Sequence, residues 1–185
     1  MRADLHVWLD FLKSYNGLSL IQERADGPSY ECGSDASSLG FSATFRDTWL
    51  QGPWPQHWLD KPFHIGVREV YPIWLVLKVF GSELQNTKLV FYCDNLGVVN
   101  SLNKLTSKCK LTMVVIREIV SVLLEFNIKL VGKFISTKDN LLNDSISRFA
   151  QDTPNLLRHF GMKSSPLQIP ACLRPEHLIP PSSTY

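Results

Sequence analysis

The chain is poor in cysteine, and what it has is unpaired in pattern. Cys32, Cys93, Cys109 and Cys172 form no C-x-x-C pair, and no two histidines stand at zinc-ligand spacing. This argues against a zinc finger and a disulfide framework, and reduced thiols in an intracellular protein are the expectation. Long hydrophobic runs are missing too. The apolar stretch in Met1–Tyr15 is broken by Asp4 and Asp10, unlike a signal h-region, and no span is long enough to cross a bilayer. This predicts no membrane partner and a cytoplasmic or nuclear setting. There is no P-loop, no G-x-G-x-x-G and no G-x-S-x-G or Cys–His framework, which argues against nucleoside triphosphate binding and against Ser or Cys nucleophiles. Charge is sparse at 19%, with a net +2, a balance that neither demands nor excludes a nucleic-acid partner.

What is present is an ordinary globular composition, 44% hydrophobic over 185 residues, enough for one domain with extensions. Leu5, Trp8, Phe11 and Leu12 fall at helical spacing, and Asn16-Gly17 supplies a stop. Residues 22–29 read as a loop. Three strands follow, at Tyr30–Asp35, Leu39–Phe45 and Thr48–Gly52, the last two joined across Arg46-Asp47. Pro53–Pro62, with three prolines, reads as loop. A helix is predicted over Val67–Phe80, with Pro72 tolerated near its start. Lys88–Cys93 holds the unbroken run LVFYC of a central strand covered on both faces. A short helix at Leu96–Leu102 and a longer one carrying Leu111, Val115, Ile119, Val122, Leu123 and Phe126 come next. Then follow a strand at Ile128–Ile135 and a last helix from Asn140 to about Phe149. From Ala150 onward prolines crowd a stretch of little periodicity, read as an extended, partly disordered tail. The expected fold is α/β, a mixed five-stranded sheet flanked by helices.

Four acids occupy telling places. Asp35 ends the first strand and Asp94 the fourth, and in open α/β sheets sites gather beyond the carboxyl ends of strands. Glu69 falls within about 40° of Ile73, Val76 and Phe80 on a helical wheel, so it faces the core, where a carboxylate is costly unless paired or metal-bound. Asp144 sits early in the last helix. Each acid has an ordinary structural use: a turn for Asp35, a cap for Asp94, the helix dipole for Asp144. Their combination points instead to hard divalent cations. Oxygen-only ligands favour Mg²⁺ or Mn²⁺, and two such ions about 4 Å apart hydrolyse phosphodiesters without a protein nucleophile.

The motifs around these acids resemble a known family. Ser34-Asp35-Ala36-Ser37 with Gly40-Phe41, Arg68-Glu69-Val70-Tyr71-Pro72-Ile73, Phe91-Tyr92-Cys93-Asp94-Asn95 and Asn140-Leu141-Leu142-Asn143-Asp144-Ser145-Ile146-Ser147-Arg148 resemble, in order and spacing, the four motifs of reverse-transcriptase ribonuclease H domains. The flanks, Ala3-Asp4-Leu5 through Tyr15-Asn16-Gly17 and Phe160 with Pro166-Leu167-Gln168-Ile169-Pro170, look like those of DIRS-type, tyrosine-recombinase retrotransposons. The resemblance covers about residues 1–175. It implies a polymerase-connection helix and linker at 1–28, a ribonuclease H-like domain at 29–150 and a Pro-rich tail at 151–185. It also implies an endoribonuclease that holds two Mg²⁺ ions, or Mn²⁺, and cuts the RNA strand of RNA/DNA hybrids to leave 3′-hydroxyl and 5′-phosphate ends. Asp35 would bridge both metals, Glu69 and Asp94 would hold the leaving-group side, and Asp144 the side of the attacking water. Ser37, Asn95, Lys104, Lys108 and Arg148 are the candidate nucleic-acid contacts, and the polymerase module of a parent reverse transcriptase is the implied protein partner. The 2′-hydroxyl would tell RNA from DNA.

The chain departs from the family in two places. Phe134 stands where many relatives carry a histidine, and Asn143 where a small residue is usual. The first departure keeps a second reading open, an inactive ribonuclease H-like module that binds nucleic acid or a protein without cutting. Trp49, Trp54 and Trp58 are read as packing residues with base stacking as the alternative, and His57 and His64 as bystanders near the Glu69 helix. The Leu5–Leu12 stripe is read as a surface for the polymerase module.

Overall fold

The computed structural model describes residues 2–14, 28–60 and 65–179. The Asn16-Gly17 stop, most of the 22–29 loop, Pro62 and His64 lie outside them. Helix α1 (Arg2–Ser14) precedes strands β1 (Ser29–Ala36), β2 (Gly40–Phe45) and β3 (Thr48–Pro53). A short helix α2 (Gln56–Asp60) and the long α3 (Ile65–Phe80) lead to β4 (Lys88–Cys93). After α4 (Leu96–Asn103) and α5 (Lys110–Phe126) comes β5 (Lys129–Phe134), then α6 (Leu141–Ser147). The described strands form one sheet in the order β3-β2-β1-β4-β5, antiparallel from β1 to β3 and parallel from β1 through β4 to β5. This is the mixed five-stranded α/β sheet with an N-terminal helix that the sequence predicts. Among the described residues no helix is long and apolar enough to cross a membrane.

Strand pleat divides the sheet into two faces, because paired residues share a side. Cys32 pairs with Phe45 and lies level with Phe91, and these face α3, where Phe45 meets Phe80 with ring centroids 4.8 Å apart. Asp35 and Gln51 both pair with Ser42 on the other face. There Ser42 Oγ donates to the Asn143 carbonyl at 2.8 Å and Gln51 Nε2 to the Ile146 carbonyl at 2.5 Å, which fixes α6 across β2 and β3. Gly33 permits that approach: a Cβ there would stand 2.5 Å from Asn143 Nδ2. The main core lies between the sheet, α3 and α5. α1 rests on α5 through an ion pair of Asp4 with Arg117 at 2.9 Å, leaving Leu5, Trp8, Leu9 and Leu12 exposed.

Three expectations change. Pro72 is not in a first turn. It is the eighth residue of α3, so the Arg68 carbonyl loses its i+4 donor in mid-helix. The helix persists because burial on every side, from Val67 to Leu77, outweighs one missing bond. The segment read as loop contains α2, whose Trp58 is fully buried and stacks on Trp54 at 5.1 Å with the rings 9° from parallel. Trp49, Trp54 and Trp58 are thus all core residues rather than stacking platforms for bases.

The third change concerns the stretch after Ala150. It is not simply extended: it forms α7 (Thr153–His159), a 3-10 turn at Ala171–Leu173 and α8 (Pro175–Leu178), and it packs on the domain. Leu157 joins Trp49, Leu142 and Ile146 in a second apolar cluster. Trp49 Nε1 donates to the Lys163 carbonyl at 2.9 Å, Tyr71 Oη to the Leu173 carbonyl at 2.8 Å, and Ile179 is 1% exposed beneath Trp58.

Candidate metal-binding acid cluster

The β1–β4 pairing carries two of the acids to one edge of the sheet. It runs to Gly33 and Tyr92, and Asp35 and Asp94 each follow two residues later, at the carboxyl ends of the two strands. Glu69 arrives from the α3 face, where Cys93 also points; Asp144 arrives from α6 on the other face. The four acids approach the ends of β1 and β4 from both faces, close enough for the charges of Asp94 and Asp144 to act on Asp35 and those of Asp35 and Asp94 to act on Glu69. Ligand atoms of Glu69, Cys93 and Asp94 all lie within 4.8 Å of one another; among the described residues Asp35 and Asp144 fall outside that group.

The electrostatics follow from that crowding. Asp35 is 4% exposed, and its carboxyl is pushed above the usual range, first by burial and then by the charges of Asp94 and Asp144. A hydrogen bond donated by Ser147 Oγ to Asp35 Oδ2 opposes that rise. Glu69, 5% exposed, is raised to about 8 by burial, with Asp35 and Asp94 adding to the effect. Its polar contact is the Cys93 thiol, which donates to Oε2 at 3.6 Å and is itself held far toward the neutral form by burial and by Glu69. Arg148 donates to Asp144 Oδ1 at 2.7 Å, and the nearby acids strengthen its hold on its proton. Among the described residues no lysine or arginine forms an ion pair with Asp35, Glu69 or Asp94.

This donor set fits hard divalent cations. Four carboxylates offer oxygen ligands, the kind Mg²⁺ and Mn²⁺ prefer, and the Cys93 thiol stands beside Glu69 and Asp94 as a further donor.

The candidate nucleic-acid contacts divide. Ser37 is buried, and its hydroxyl is consumed: it donates to the Ser147 carbonyl at 2.7 Å and accepts from the Leu39 and Gly40 amides. It builds the wall of the site rather than a surface for a ligand. Asn95 caps α4, its Oδ1 accepting from Gly97 and Val98 at 3.0 and 3.2 Å, so only its amide donors remain for a ligand. It shares a cleft of about 280 Å³ with Lys108, Ser101, Ser107 and Thr112; Asp94 is not among the residues that line it. Lys104 is exposed at the end of α4 and does not line that cleft. Arg148 is exposed but engaged with Asp144. His57 contacts the Ile179 carbonyl at 3.0 Å rather than an acid, and Phe134 is 54% exposed at the end of β5.

No family model matches the chain, and no curated protein matches it. Two hydroxyls at the acids went unnoticed in the sequence, Ser147 on Asp35 and Thr137 on Asp94, the latter at 2.9 Å. Ser147 lies inside the Ser-Arg motif; Thr137 carries no local signal.

Proposed function

We propose that the chain is a two-metal endoribonuclease that cleaves the RNA strand of RNA/DNA hybrids, as part of a retroelement reverse transcriptase. The reading rests on one observation above the rest: the parallel β1–β4 pairing ends two residues short of both Asp35 and Asp94 and so carries them to one sheet edge, beside the buried Glu69. Asp35, Glu69, Asp94 and Asp144 would hold two Mg²⁺ ions, or Mn²⁺. Such ions, when bound, neutralise the phosphodiester and its leaving oxygen and activate water. The protein's own share is positional. Ser147 orients Asp35, the sheet ends fix the spacing of the acids, and Asn95 and Lys108 offer donors to the sugar-phosphate chain in the adjoining cleft. The exposed stripe of α1 would be covered by the polymerase module.

The test is cleavage of a labelled RNA/DNA hybrid in Mg²⁺ and then Mn²⁺, with Asp94→Asn as control. The parent should cut the RNA strand and the variant should not. A folded parent that cuts in neither metal would support the second reading, a module that binds without cutting. The observation in its favour is Arg148, whose guanidinium occupies an oxygen of Asp144. Lys108→Ala is expected to weaken hybrid binding at every sequence alike and to reduce the slope of log K against log salt by about 1, measured by fluorescence anisotropy over a salt series. An unchanged slope would remove Lys108 from the interface.

A further inference from the structure

The geometry points to Thr137 as a positioning residue that sets the orientation of the Asp94 carboxylate and so tunes divalent-cation affinity; this rests on the proposed reading of the acid cluster. Asp94 stands one residue past the end of β4, where no further pairing holds its side chain. Rotation about the last bond of an aspartate is soft, with broad two-fold wells, so the carboxylate needs a partner to hold one direction. Thr137 Oγ1 supplies it by donating to Asp94 Oδ2 at 2.9 Å. With that oxygen taken, the direction of the other is fixed.

The loop carrying Thr137 is itself built to stay put. The Ile135 amide donates to the Cys93 carbonyl at 3.1 Å, zipping the loop to the strand end just before Asp94. Beyond it the chain turns tightly. The Asp139 and Asn140 amides both donate to the Ser136 carbonyl, at 2.9 and 3.0 Å, and Ser136 Oγ donates to Asp139 Oδ2 at 2.6 Å. The turn is then pinned to β1, because Asn140 Nδ2 donates to the Ser34 carbonyl at 3.1 Å, one residue before Asp35. Thr137 is thus suspended between anchors beside both strand-end acids. It is exposed, so its hydroxyl contributes little to the fold itself. Water can satisfy Asp94 Oδ2 equally well, but it cannot fix the rotation.

Outer-shell partners of this kind are worth about tenfold or more in metal affinity. The experiment is a calorimetric Mn²⁺ titration of the full chain, comparing the parent with Thr137→Ala, Thr137→Ser and Asp94→Asn, with thermal melts in EDTA alongside. Thr137→Ala should weaken Mn²⁺ binding about tenfold, Thr137→Ser should restore it, and the melting temperature in EDTA should move by no more than about 2 °C. Parent-like Mn²⁺ affinity in Thr137→Ala overturns the inference and leaves the metal site standing. So does a loss that Ser fails to rescue, or one that tracks a large fall in melting temperature. If the parent takes up no Mn²⁺ at all, the reading of the site fails and this inference falls with it.

Discussion

Glu69→Gln is expected to stabilise the metal-free fold at pH 8 while abolishing hybrid cleavage, two effects of opposite sign from one lost charge. The carboxyl is 5% exposed and faces Asp35 and Asp94, with the Cys93 thiol as its polar contact and Arg148 committed to Asp144. Burial, reinforced by the two aspartates, raises it from 4.5 to about 8. A group whose folded-state value is raised binds its proton more tightly folded than unfolded. Its favourable contribution is complete below the unfolded value near 4.5 and is lost as pH climbs through about 8. The metal-free parent should therefore weaken steadily between those limits, by on the order of 3 kcal/mol from this site once charge sharing with Asp35 is allowed for. Gln keeps the shape and an oxygen to accept from Cys93, and carries no charge. In EDTA at pH 8 the variant should melt about 6–10 °C above the parent, and the two should converge near pH 5. Adding Mg²⁺ should raise the parent more than the variant, since the ion stabilises only the state that binds it. Cleavage should fall about 1000-fold or more, the several kcal/mol that a correctly held cation contributes. A variant that melts at or below the parent at pH 8 would show that Glu69 is neutralised by a partner and is not waiting for a cation.

The elements that the sequence foretold are those with local signatures. The LVFYC run of β4 and the apolar periods of α3 and α5 are written within single segments, and so were the four acids: Asp35 and Asp94 sit at recognisable strand ends, Asp144 near a helix start, and Glu69 on the apolar stripe of its helix. The hydroxyls that orient them were not legible. Ser147 reaches Asp35 across 112 positions and Thr137 reaches Asp94 across 43, and a serine or threonine in a polar stretch looks the same whether it faces water or an acid. The Asn143 departure has a structural answer that only the packed pair reveals: Gly33 lacks the side chain that Asn143 would strike. Asn143 then uses the space to donate to Asn140 Oδ1 at 3.1 Å and to Thr44 Oγ1 at 3.3 Å. Ser37 differs in the opposite way. Its motif places it beside Asp35, but the turn it closes takes up its whole hydrogen-bonding capacity.

The same blindness explains the stretch after Ala150, and ending the chain there is the second large perturbation. Crowded prolines and the lack of a regular apolar period made this stretch look like a linker, because much of what holds it is backbone. The donors are side chains far upstream: Trp49 to the Lys163 carbonyl, Tyr71 to the Leu173 carbonyl at 2.8 Å, Trp58 to the Ile179 carbonyl at 3.4 Å. A carbonyl that receives such a bond leaves no trace in the residue type. The strand edge is used in the same way, the Lys163 and Leu167 amides both donating at 2.8 Å to carbonyls of Asp47 and Trp49. Truncation after Ala150 removes the buried Leu157 and Ile179, each worth about 1.5–3 kcal/mol. It also uncovers the apolar faces of Trp49, Trp58 and Tyr71. The expected loss exceeds about 5 kcal/mol, enough to consume most of an ordinary domain's stability. The truncated chain should show no cooperative urea transition, and its tryptophan emission should already be red-shifted in buffer. Tyr71→Phe isolates one of these bonds without shortening the chain, and it should cost about 1–2 kcal/mol in the same denaturation experiment. If the shortened chain instead unfolds cooperatively within about 1 kcal/mol of the full one, the segment rests on the domain without supporting it, and the fold is complete at the end of α6.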